Sequence, residues 1–459
     1  MRFAERFERT FKWLLPSPFA IALGLTALTF LAAAVWGDFK GDETRLWQII
    51  SHWEAGLWNP PLLVFMVQML LILVFGHALA LSPLVNKLIN KLLNLSKQPA
   101  LSTALVCFFT LVVAFFNWGL GLVFGAIMAR KTAEKLSTQG QAFNYGLIGA
   151  AGYSGLMVWH GGISGSAPLK VAEQGHLLQL AQQHLPQAYW ANVPQRLGFE
   201  STIFSPMNLS ASLLLLILLP ALTYFIALKA PQKTQSITAS EEPKAKAPNQ
   251  YYGAEKLDYS NWLGTFIGVF ILGCALYLAL PAEGWQFINP NFINFCLLGL
   301  GLSLHGSLHR FTGAVHQAIG GATGIVTQFP LYFGIMALMG SSGLILNISQ
   351  YFSAHATAQS FPVFTFFSAG LVNIFVPSGG GQWAIQGPVL IQTAQNLGIP
   401  LGKAVMALAY GDQLTNMLQP FWALPLLGIT GLKAREIIPY SLLYLVAGGF
   451  IFLVLLMVF

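Results

Sequence analysis

The stretch VPSGGGQWAIQGP at 376–388 carries a hydroxyl, Ser378, then Gly379, Gly380 and Gly381, then Gln382 and Trp383. Apolar sequence flanks it, FPVFTFFSAGLVNIF before and VLIQTA after. Inside a helix glycine costs about 1 kcal/mol against alanine and proline about 3 kcal/mol, so this stretch reads as a helix break. A break at membrane depth exposes two helix ends. The first half leaves carbonyl oxygens that suit a cation, and the second presents N–H groups and a positive dipole end to an anion. Asn117-Trp118-Gly119, within FFNWGLG, is a second polar interruption of the same kind. Ser378 to Trp383 and Asn117 to Gly119 are therefore the candidate substrate-binding residues. Trp118 and Trp383 either wall a short alkyl body or serve only as packing.

Asp412 is the only acid in the apolar stretch 403–427, with Gln413, Thr415 and Asn416 close behind it. An ionised Asp at a helix centre costs about 2.5–3.5 kcal/mol in a bilayer, so such residues mark ion or proton paths. Two chemistries stay open. Asp412, Thr415, Asn416 and the Ser378 tip supply oxygens for a sodium ion, or Asp412 carries a proton in an apolar setting. Beyond a sodium ion or a proton as coupling ion, no cofactor is expected. His160 and His77 lie in apolar segments, where a hydrogen-bonded packing role is the simpler account.

The whole chain sets these residues in a membrane. Of 459 residues 55% are hydrophobic and 8% charged, against about 25% charged in soluble domains. Runs of about 20 apolar residues match the thickness of a hydrocarbon core. The net charge of +7 comes without basic patches interleaved with aromatics, so no nucleic-acid partner is expected. Cys107, Cys274 and Cys296 all sit in apolar segments and read as small core residues.

We read spans at about 17–36, 60–82, 143–160, 206–229, 260–281, 288–306, 320–340, 403–425 and 438–459. The segments 99–129 and 361–391, each interrupted near the middle, read as re-entrant hairpins that enter and leave by one face. The Lys and Arg then segregate. One side holds 1–16, 83–98, 130–142, 229–259, 305–319 and 428–437, and the other keeps only Lys40, Arg45, Lys170, Arg196 and Lys403 of the 23. The positive-inside rule makes the first side cytoplasmic, with the N-terminus inside and the C-terminus outside.

The two halves also echo one another. FFTLVVAFFNWGLG at 108–121 faces FFSAGLVNIFVPSGGG at 366–381, setting Asn117 opposite Ser378 and Gly119 opposite Gly380. The first hairpin opens from the cytoplasm and the second from outside, so the repeats are inverted, a recurring plan of secondary transporters. The expected architecture is an all-α polytopic membrane protein. It has two inverted-topology repeats, about nine spanning helices and two re-entrant helical hairpins with broken helices. Its divisions are a cytoplasmic amphipathic N-terminus at 1–16, a first repeat at 17–229 and a cytoplasmic linker at 230–258. A connecting membrane helix at 259–287 and the second repeat at 288–459 follow.

SGGGQWAIQGP, MALAYGDQLTNMLQPFWALP at 406–425, FFNWGLGLVFGA at 115–126 and GISGSAPL at 162–169 resemble the bacterial short-chain fatty acid transporter family, of the acetoacetate and butyrate uptake type. The likeness runs over nearly the whole chain. It implies uptake of small monocarboxylates, such as butyrate or acetoacetate, across the bacterial inner membrane; Asp412 and its neighbours add the expectation of coupling to a cation. The hairpin plan is more distantly similar to the ion transporter superfamily, which implies a homodimer in the lipid bilayer. No Arg or Lys lies near either tip in sequence, which on its own suits a singly charged solute.

Two other classes were weighed. An intramembrane acyl-transfer enzyme would want a histidine and an acid in partnership, and no His and Asp fall at a spacing that makes such a pair. A passive channel would want a continuous polar stripe along its spans, which the sequence lacks.

Overall fold

The computed structural model describes residues 10, 13–96, 98–237, 252–281, 287 and 289–459. Most of the expected N-terminal segment at 1–16 and of the linker at 230–258 lies outside the described residues. Among the described residues the regular structure is helical, with one isolated backbone bridge between Phe143 and Lys233.

Several helices begin the same way, with a capping side chain followed by proline. Ser17, Asn59, Ser205 and Asn289 accept the N–H groups of Ala20, Leu62, Asn208 and Phe292. Proline in the first turn gives up an N–H that had no intrahelical partner.

Seven helical stretches among the described residues are long and apolar enough to cross a bilayer: Pro18–Trp36, Arg45–Ala80, Pro99–Phe116, Pro206–Lys229, Asn261–Ala279, Leu308–Ser341 and Ala434–Val458. Their outward faces are apolar too. Phe266, Val269, Phe270 and Tyr277 of Asn261–Ala279 are exposed, and a helix apolar all round requires protein or lipid as its surroundings. The chain is a membrane-embedded helical protein.

Three of the nine expected spans fall outside this set. The segment 143–160 forms a helix only over Tyr145–Tyr153, passes through a tight turn at Ser154–Met157 and then leaves helical structure. The segment 403–425 is divided into Leu401–Thr415 and Pro420–Thr430 by a turn at Asn416–Leu418, where Pro420 ends the N–H ladder. The helix near 288–306 is Pro290–His305, only 16 residues long. Conversely Pro99–Phe116, expected as a hairpin arm, is itself 18 residues long.

The order of elements in the first half returns in the second. An amphipathic helix Pro83–Leu93, a broken pair Pro99–Phe116 and Trp118–Thr138, and a broken short-helix segment follow one another. So do Leu344–Ala354, then Phe361–Phe375 and Gly379–Leu397, then Leu401–Thr415 with its turn. Phe361–Phe375 packs closely along Leu401–Thr415, where Gly411 lets the backbones approach.

Candidate functional site

Each break is organised by its capping side chain. Asn117 is extended (φ −152°, ψ 122°), and its Oδ1 accepts the Leu120 N–H at 3.0 Å. The neighbouring Trp118 N–H donates to Ser164 Oγ at 2.9 Å. Two of the first amides of this helix are thus already engaged. At the second break Ser378 Oγ accepts the Gly381 N–H at 3.2 Å. Among the described residues the amides of Gly379 and Gly380 have no acceptor.

The two breaks meet at one partly open cavity. Pro377, Ser378, Gly379 and Gly380 form one side; Phe65, Trp118, Trp159 and Trp422 form a wall of rings, and Leu156 and Ser166 complete the lining. The rings brace one another edge to face. Trp118 and Trp422 lie 5.1 Å apart between centroids, and Trp118 and Trp159 6.0 Å. The indole N–H groups of Trp159 and Trp422 are buried without a partner, and an indole nitrogen only donates. The lining thus combines apolar rings, the free amides of Gly379 and Gly380 and the hydroxyls of Ser166 and Ser378, with no basic side chain among the described residues.

Behind Gly379 lies a buried hydrogen-bonded pair that no spacing in the sequence points to. His160 Nδ1 is hydrogen-bonded to Asp412 Oδ2, both residues being almost wholly inaccessible. The expectation that no histidine and aspartate pair in this chain is corrected: they are 252 residues apart in sequence and adjacent in space. The non-helical stretch 158–165 places the imidazole. Gln413 Oε1 accepts the N–H groups of His160 and Gly161, Asn208 Nδ2 donates to the Gly161 carbonyl, and the Ile163 N–H donates to the Phe115 carbonyl. His160 Nε2 accepts the Ala167 N–H at 3.0 Å. A ring nitrogen that accepts leaves the proton on the other, so Nδ1–H donates to Asp412 Oδ2. The same bond occupies the nitrogen that a general base would need. Asp412 Oδ1 remains buried without a hydrogen-bond partner.

The other expected site residues divide. Thr415 Oγ1 and Asn416 Oδ1 both accept from Asn373 Nδ2, at 2.9 and 2.8 Å, and that amide also reaches the Asp412 carbonyl. They therefore gather on Asn373, while the Asp412 carboxylate faces His160 and Gly379. Gln382 donates to the Ala369 carbonyl and to Gln386 Oε1. Trp383 is buried, and its indole donates to His176 Nε2 at 3.0 Å. Neither lines the cavity; the ring opposite Trp118 is supplied by Trp159 and Trp422 instead. Gly119 does not line it either, and a Cβ there would make only ordinary contacts, 3.6 Å from Asn117 Oδ1.

Sequence reasoning did not single out Phe65, Trp159, Trp422 or Asn373. The one signal available was position. Trp159 adjoins His160 inside the broken segment, and Trp422 follows Pro420 just past the other break.

Comparison with known proteins follows the same line. The model of the short chain fatty acid transporter family matches residues 1–459. A protein of Haemophilus influenzae named for short-chain fatty acid transport is 38% identical over 463 residues, covering 98% of each chain. One of Escherichia coli with the same name is 39% identical over 464 residues, covering 100% of this chain and 99% of that one. Among solved structures, the Alcanivorax borkumensis YdaH transporter aligns over 95% of this chain and 98% of its own, at 14% identity and a TM-score of 0.43. On the whole-chain match and these two relatives, the chain belongs to the short chain fatty acid transporter family.

Proposed function

We propose that the protein is a secondary active carrier of short-chain monocarboxylates, acids of the size of butyrate or acetoacetate, and that the cavity between the two breaks is its substrate site. One observation carries this reading: the free amide N–H groups of Gly379 and Gly380 lie at a ring-walled cavity that no basic side chain among the described residues lines. The donors suit one carboxylate, the rings suit a short alkyl body, and a doubly charged solute would lack compensation. The family and the names of its relatives support the substrate class.

The transport plan in this reading is an inverted pair of repeats whose hairpins meet at mid-membrane. Its support is the returning element order. Pro83 and Leu344, Pro99 and Phe361, Trp118 and Gly379 start matching helices 261 or 262 residues apart. Segregation of Lys and Arg supports a cytoplasmic N-terminus, an external C-terminus and an inner-membrane location. Coupling to a cation, sodium or proton, falls to Asp412, whose carboxylate is buried with one oxygen unpartnered.

Uptake of radiolabelled butyrate into proteoliposomes tests the reading. A carrier saturates and shows counterflow driven by unlabelled butyrate, and imposed sodium and proton gradients, varied separately, identify the coupling ion. Non-saturating flux without counterflow would indicate a channel, and a chemically altered product would indicate an enzyme.

A further inference from the structure

The three glycines of the second break do different jobs. A Cβ on Gly379 would come 2.7 Å from His160 Cε1 and 3.0 Å from Trp159, and one on Gly381 would come 3.1 Å from Ser378 Oγ. Gly380, between them, meets no atom within 4 Å. Its φ is not positive either, so its backbone places no demand for glycine. Alanine is the better helix former in that turn. Within the protein alone, the absence of a side chain at 380 serves nothing.

Gly380 does line the cavity. The wall opposite is made of rings already packed against one another, Trp118 on Trp422 and on Trp159, with Phe65 on Trp422 at 6.3 Å. Gly380 is itself exposed and such a wall yields little, so a methyl at 380 would meet whatever body lies between the two. We infer that Gly380 is the chain-length gauge of the carrier: the space left by its missing side chain belongs to the bound acid and sets the longest acid that fits. This rests on the cavity being the monocarboxylate site. One methyl at 380 removes about the room of one methylene, and a pocket discriminates one methylene by about 10- to 200-fold.

The test is initial uptake of acetate, propionate, butyrate and valerate by proteoliposomes holding the wild-type chain, Gly380→Ala, Leu156→Ala, or both changes. Leu156 lines the same cavity. Gly380→Ala should fold normally and lower the butyrate-to-acetate ratio of kcat/KM at least tenfold, while Leu156→Ala shifts preference toward longer acids. The double variant should regain butyrate uptake, because room lost at 380 is returned at 156. If the wild-type chain moves none of the four acids, the substrate reading itself falls. If the wild-type chain transports but Gly380→Ala lowers all four acids equally, or the double variant fails to regain butyrate, the gauge alone is overturned. Failure of Gly380→Ala to fold overturns it as well, since the inference requires that the position be free.

Discussion

His160 and Asp412, 252 residues apart, form a buried hydrogen-bonded pair whose imidazole is held in one tautomer by the Ala167 N–H. The pair joins the non-helical stretch of the first half to a helix of the second, and Gly379 rests directly on it. It therefore ties the tip of the second break to a carboxyl group whose second oxygen has no hydrogen-bond partner among the described residues. Removing one partner of a buried hydrogen bond costs about 1–3 kcal/mol, more than the intact bond contributes, because the survivor stays buried and alone.

That asymmetry gives the first expected outcome. His160→Ala should destabilise the detergent-solubilised protein by a few kcal/mol, and adding Asp412→Ala should restore part of the loss. Thermal unfolding of the two single variants and the double variant measures the coupling. Strictly additive losses would show that the two side chains do not interact.

Asp412→Asn separates charge from hydrogen bonding, since the asparagine oxygen still accepts from His160. We expect a folded protein that exchanges labelled for unlabelled butyrate at equilibrium but no longer concentrates it against a gradient. If sodium is the coupling ion, any residual driven uptake should need more sodium for half its maximum. Full gradient-driven uptake by this variant would remove Asp412 from coupling.

Gly379→Ala and Gly380→Ala should behave differently although they are neighbours. The methyl at 379 has no space against His160 Cε1 and Trp159, and overpacking of this kind costs about 1–3 kcal/mol. The first variant should therefore lose thermal stability and transport of every acid, and the second should keep its melting temperature. Equal melting temperatures would mean that the tip is looser than its contacts indicate.

His176 provides a pH dependence outside the membrane-spanning helices. Burial, and then the charge of Lys170, lower its pKa below the usual 6.5, and its neutral Nε2 accepts the Trp383 indole N–H. A folded pKa below the unfolded one means that the unfolded chain binds the proton more readily. The stability from this contact is complete above pH 6.5 and is lost as pH falls through the lowered folded value. Trp383 emission should shift over that acid range in the wild-type chain and not in His176→Phe. A shift that persists in His176→Phe would assign it to another group.

The hairpin topology has its own check in a cysteine-free background lacking Cys107, Cys274 and Cys296. Leu88 and Tyr351 are both exposed on the matching amphipathic helices. Tyr351→Cys should react with an impermeant thiol reagent from outside, and Leu88→Cys only after the cytoplasmic face is opened. Labelling of both from one side would overturn the inverted arrangement.

Local chemistry made the breaks legible in advance. Asn117, Ser378 and the glycines announce helix ends whatever surrounds them, and both breaks lie at those residues. The lining was legible only in part. Trp118 and Trp383 look alike in sequence, each within two positions of a glycine at a helix break, yet Trp118 lines the cavity and Trp383 turns to His176. Which face a side chain takes depends on the neighbour it meets, and that neighbour comes from a distant part of the chain. The same holds for His160 and Asp412. Spacing rules find partners on one helix, whereas this pair is made by two interrupted segments brought side by side.

Tyr153 shows what such an arrangement does to an unloaded molecule. Its buried hydroxyl, from the first half, is shared between the carbonyls of Asn416 at 2.7 Å and Gln419 at 3.0 Å, in the turn that interrupts the second half. The Gln419 carbonyl lies where the chain stops being helical, and the Asn416 carbonyl takes only the Gln419 N–H of the tight turn, at 3.1 Å; the other half of the protein supplies both with the phenol. Sliding the halves apart at this point would leave the Gln419 oxygen and the phenol unpaired in a medium without water, and an unpaired buried polar group costs about 2–7 kcal/mol to strand. In the carrier proposed above, any sliding of one half past the other has to break this hydrogen bond, so the empty protein meets a barrier at one phenol.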